Sequence, residues 1–151
     1  MPVLQAVQQA QREVLRSWNE SDASQFVLHP LTFLDRASQG TESSTRAATV
    51  LATAAEQRRD AVLPILPELY DRQPPEGSPG LSDAELLDIA AAHSVDARTI
   101  LAKRPYDRVL AAKSVEAFRG ATPITVTPSA RVDGVTVPEA KLLGGSLTEL
   151  R

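Results

Sequence analysis

Apolar residues recur at helical spacing through most of this chain and change to strict alternation only near its end. In the first segment Val3, Leu4, Val7, Ala10, Val14, Leu15 and Trp18 share one face, which predicts an amphipathic helix from Pro2 to about residue 19. Its other face is rich in glutamine (Gln5, Gln8, Gln9, Gln11). The run FVLHPLTFL, residues 26 to 34, is interrupted by Pro30, which disfavours a helix through it but suits a helix start. A turn at His29, with the histidine interior, and a short helix from Pro30 toward Ser38, closed by Gly40, are expected. A long helix then spans residues 44 to 63, with Val50, Leu51, Ala54, Ala55, Ala61 and Val62 as its buried stripe. Pro64 and Pro67 should end it, leaving PILPELY as a kinked extension or a separate turn.

Residues 72 to 80, RQPPEGSPG, hold three prolines and two glycines with no periodicity and read as a linker between two lobes. Helical signals resume at once. Ser82 and Glu85 form a capping box, with Leu81 and Leu86 placed as a hydrophobic staple. The same logic recurs where Asp96 caps a second helix and Val95 staples to Ile100. Pro105 opens a third helix, with Tyr106, Val109, Leu110 and Phe118 as its apolar contacts and Gly120 as its stop.

From Thr122 the period becomes two. PITVTP alternates Ile124 and Val126 with threonines, and Asp133-Gly134 sits between β-branched residues, a strong two-residue hairpin signal. Pairing Val132 with Val135 and Ala130 with Val137 puts four apolar side chains on one face. The expected fold is therefore mainly α, bundle-like, with a small C-terminal antiparallel β-hairpin. Its parts are an N-terminal helical region (1–71), a linker (72–80), a three-helix subdomain (81–120), the hairpin (121–138) and a tail (139–151).

Composition narrows the chemistry. The 151 residues include no cysteine, which excludes disulfides, thiolate metal sites and cysteine nucleophiles. Three Phe, two Tyr and one Trp leave the core to Leu, Val, Ile and many Ala, favouring closely approaching helices. Neither a signal peptide nor a membrane span is expected, so the location should be cytoplasmic or within an assembled particle. Glycine-rich phosphate loops, HExxH and GxSxG are all missing, and two histidines are too few for a His-rich zinc site. Asp83, Glu85 and Asp88 crowd the first turns of one helix, where complementing its dipole accounts for them. No catalytic residue, metal or cofactor is assigned, and the protein is expected not to be an enzyme.

Net charge is −3, yet residues 97–119 carry six basic side chains against two acidic ones. Within that stretch residues 86–105 resemble a helix-turn-helix. Ala90 is the small residue at closest approach, Val95 the apolar turn residue, and Thr99 and Ile100 open the second helix. Ser94 stands where glycine is customary and His93 where an apolar residue is. The resemblance implies that residues 82–119 bind DNA, with Asp96, Ala97, Arg98, Leu101 and Ala102 facing the groove. Arg98, Lys103, Arg104 and Arg108 would carry the binding, Arg98 as the single base reader and the others on phosphates.

The leading expectation is different: a non-enzymatic structural, assembly or adaptor subunit. It would bind copies of itself as a homo-oligomer, or other protein subunits, as a phage virion or connector component does. Its contacts would be Ile124, Val126, Val135 and Val137 of the hairpin and Leu142, Leu143 and Leu147 of the tail. A small inhibitor of antitoxin type would instead form a one-to-one complex with a single partner. No membrane association is expected.

Overall fold

The computed structural model describes residues 27–127 and 129–138. The first amphipathic segment and the tail leucines Leu142, Leu143 and Leu147 lie outside the described residues. The protein is mainly α-helical with a two-stranded antiparallel hairpin near its C-terminus. The described residues fall in two compact units, His29–Ala121 and the segments on either side of it.

The helical unit opens with a 3-10 turn, Phe33–Ala37, rather than an α-helix from Pro30. Five α-helices follow: α1 (Ser43–Gln57), α2 (Arg59–Asp71), α3 (Asp83–Ala92), α4 (Arg98–Lys103) and α5 (Asp107–Arg119). α1 is the centre, packing against the 3-10 turn and against every other helix, while α2 also packs against α3. Val50, Leu51 and Ala54 are buried as expected, but Ala55 is exposed and Val62 half-buried. Three threonines supply what apolar periodicity overlooked. Thr45, Thr49 and Thr53 are buried at four-residue spacing, and the hydroxyls of Thr49 and Thr53 donate to the carbonyls of Thr45 and Thr49. The hydroxyls of Thr49 and Thr53 are thus satisfied within their own helix, which lets a polar group enter the core without an outside partner, whereas that of Thr45 donates to Asp35 (2.6 Å).

The long helix expected over residues 44–63 breaks at Arg58, whose backbone is extended, and not at Pro64. α2 then runs through both Pro64 and Pro67. Its inner face, Ala61, Ile65, Leu66 and Leu69, is buried. Burying a large aliphatic side chain contributes about 1.5–3 kcal/mol. Three of them together are comparable with the ~3 kcal/mol that each interior proline costs, so packing carries the helix past both. Tyr70 lies on the same helix, and burial pushes its phenol up to about 12.

The proline-rich segment 72–80 is coil, but it lies within the helical unit and is held to the residues leading into α1. Gln39 donates to the Gly77 carbonyl (2.8 Å), while Thr41 (2.5 Å) and Arg46 (3.3 Å) donate to Pro79. Gly80 closes this contact at a positive φ of 74°. A Cβ there would lie 2.3 Å from the Ser43 Cβ.

At the other end, α5 is fixed by Leu110 and Ser114, both buried. The Ser114 hydroxyl accepts the Thr32 amide (3.2 Å), and Phe118 meets Phe33 edge-to-face at 5.3 Å. The helix begins at Asp107, two residues after Pro105. Tyr106 is half-buried and hydrogen-bonds Glu56, which holds its phenol above the ordinary range. Val109 is 60% exposed rather than a core contact. Gly120 stops the helix in an extended conformation, not a left-handed one.

Candidate functional site

Two surfaces carry the residues singled out from the sequence. The first is the hairpin, β1 (Arg131–Val132) and β2 (Val135–Thr136). Asp133 and Gly134 both take positive φ (48° and 81°), the type I′ geometry whose twist matches the strands. Val132 pairs with Val135, and the Val137 amide donates to the Ala130 carbonyl, so the register is the expected one. Its four apolar side chains are not buried alike, however. Val137 is buried, Val132 and Ala130 are half-buried, and Val135 is 71% exposed. Of the preceding run, Ile124 is half-buried and Val126 is 40% exposed. The Arg131 guanidinium donates to the Thr122 hydroxyl (2.9 Å) and carbonyl (2.6 Å), tying the start of that run to the hairpin.

The second surface is the helix pair α3–α4. Ser82 accepts the Glu85 amide (3.3 Å) and its own amide donates to the Glu85 carboxylate (2.8 Å), completing the capping box. Those bonds from Ser82 hold the Glu85 carboxyl below its usual range. Asp83 pairs with Arg46 at 2.8 Å. α3 ends in a Schellman arrangement, with the Ser94 amide donating to Ala91 and the Val95 amide to Ala90. Ser94 takes the left-handed conformation (φ 59°) that explains why glycine is customary there. His93, at the C-cap, lies 2.9 Å from a Glu68 carboxylate oxygen of α2. His29 is exposed, not interior, because the chain before the 3-10 turn runs over the surface.

The N-cap of the second helix is Ala97, not Asp96, and makes no side-chain cap bond. The Asp96 carboxylate, one position earlier, accepts the Arg98 amide (3.1 Å), and α4 starts at Arg98 and is only six residues long. Before it the Gln57 side chain binds the Asp96 backbone in both directions, donating to its carbonyl (2.8 Å) and accepting its amide (2.9 Å). This clamp joins residues 39 positions apart, and sequence reading had no signal for it. Of the five positions the helix-turn-helix register turned outward, Ala97 and Leu101 are buried, while Asp96, Arg98 and Ala102 are exposed. Arg98, Lys103 and Arg108 are exposed cations. Arg104 is half-buried between the carboxylates of Glu42 (2.5 Å) and Asp107 (2.8 Å), so its charge is largely balanced within the fold.

Among the described residues no group of three or more His, Asp or Glu is placed to hold a metal ion. No helix among them is long and apolar enough to cross a membrane. No protein-family model, curated protein or solved structure matches the chain.

Proposed function

We propose that this protein is a non-enzymatic assembly or adaptor subunit that works through protein contacts, either with copies of itself or with other subunits. The exposure of β-branched side chains at the hairpin carries this reading, above all Val135 at 71%. A valine on a two-stranded sheet contributes little to a monomer unless something packs on it, and short hairpins are marginal alone. Val126, in the run that Arg131 ties to the hairpin, is 40% exposed as well, and an edge of this kind accepts a strand or helix from a partner. A virion or connector component is one concrete instance.

Light scattering on the full chain tests the reading. The wild type should show a concentration-dependent mass above 16.2 kDa, and Val126→Asp with Val135→Asp should lower it. A wild type that stays at the monomer mass and captures no subunit rejects it.

DNA binding is the second reading, favoured by the exposure of Arg98, Lys103 and Arg108 within residues 97–119, which carry six basic side chains against two acidic ones. With Ala97 and Leu101 buried, this surface offers phosphate contacts more than base readout. Anisotropy of labelled duplex at low and moderate salt separates the two readings: phosphate binding falls steeply as salt rises, and Lys103→Ala flattens the slope.

A further inference from the structure

The helical unit presents two outward helix faces of opposite charge. On α5 the buried side is Leu110 and Ser114, leaving Val109, Ala112 and Val115 outward at spacings of three residues. Val109 and Val115 are 60% and 57% exposed; Arg108 and Arg119 share their side of the helix, as does Glu116, whose charge is met by Lys113 at 2.7 Å, so the face is net basic. On α3 the buried side is Leu86, Ile89 and Ala90, leaving Ala84 and Ala91 exposed with Leu87 half-buried between them. Asp88 is exposed on that same face, and the ten residues of α3 include three acidic side chains and no basic one.

We propose that the outward face of α5 binds the outward face of α3 in a second copy of the chain, head to tail. This rests on the reading of the protein as an assembly subunit, but it uses the helical unit and not the hairpin.

Charge decides which faces meet. Residues 97–119 carry six basic and two acidic side chains, while the rest of the chain carries ten basic and seventeen acidic. Two α5 faces brought together would oppose Arg108 and Arg119 to their own copies. Two α3 faces would do the same with Asp88. The mixed contact instead sets Arg108 and Arg119 toward Asp88 across a strip of Val, Ala and Leu, the arrangement that both attracts and excludes the self-pairings. α3 packs against α1 and α2, whereas α5 packs against α1, so each face remains open while its own helix stays docked. A contact between two different faces leaves one of each free at the ends, which propagates into a ring or a filament.

Complementation between two disabled chains tests this directly. One carries Val109→Asp and Val115→Asp, and the other Asp88→Arg and Ala91→Arg. All four sites are exposed, and unchanged thermal melting confirms that the fold is kept. By sedimentation at low salt the wild type should exceed two copies as concentration rises, and should fall back toward 16.2 kDa at about 0.5 M salt, where screening is within a few ångströms. Each variant alone should remain monomeric. Their equimolar mixture should reach at least twice the monomer mass, because the intact α3 face of the first chain meets the intact α5 face of the second. Self-association of either variant, or a mixture that stays monomeric, overturns the interface. A wild-type oligomer that survives both variants rejects this contact alone, whereas a wild type that is monomeric at millimolar concentration rejects self-assembly by any face and leaves only contact with other subunits.

Discussion

The N-termini of α1 and α3 solve one problem in opposite ways. α3 is capped by its own neighbours, Ser82 and Glu85, three residues apart. α1 has Glu42 at its N-cap in a left-handed conformation with no side-chain bond to the helix. Its first amides are taken instead by Asp35 of the 3-10 turn: Ser44 and Thr45 donate to Oδ1 at 2.8 and 3.1 Å, and the Thr45 hydroxyl donates to Oδ2 at 2.6 Å. A carboxylate at a helix N-terminus is favoured wherever it comes from in the sequence. A start made this way belongs to tertiary structure, so it should be more sensitive to substitution than one made locally.

Breaking the remote cap should have the largest effect. Asp35→Ala leaves two amides and a buried threonine hydroxyl without their acceptor and is expected to cost about 3 kcal/mol in urea unfolding, with Asp35→Asn intermediate. Gly80→Ala strikes where the approach to α3 touches the first residue of α1. Its positive φ and the clash with Ser43 should cost about 2 kcal/mol. Ser82→Ala removes only the local cap and should cost about 1 kcal/mol by the same measurement.

Smaller effects sharpen the contrast. The folded-state pKa of Glu85 lies below its unfolded value of 4.5, so its contribution is present above that pH and is lost as pH falls through the lowered value. The melting difference between wild type and Glu85→Gln should therefore hold at neutral pH and disappear in acid. Ser94→Gly relieves a left-handed serine at the end of α3 and should raise stability by roughly 0.5–1 kcal/mol.

The same division governs what could be read from the sequence. The capping box, the hairpin register and the type I′ turn involve residues within a few positions of one another, and periodicity with turn chemistry located all three. The break at Arg58 carries no glycine or proline, and α2 runs through two prolines because its inner face is buried. Both depend on what lies opposite. Asp35 over α1, Gln57 on the Asp96 backbone and Arg104 between Glu42 and Asp107 join residues too far apart for any spacing rule. At the candidate surfaces, residue types were visible but exposure was not. Val109 was assigned to the core and stands in solvent, while Ala97 and Leu101 were turned outward and lie inside.

The threonine ladder of α1 sets an order of local opening. Because Thr49 and Thr53 spend their hydroxyls on their own helix, a neighbour that lifts away breaks no bond to them and exposes no unsatisfied oxygen. α4, six residues long, is the element such an opening releases first, whereas α1 touches every other helix and cannot open without dismantling the unit. Amide hydrogen exchange in native conditions should accordingly report α4 with a low opening free energy and the middle of α1 with that of global unfolding.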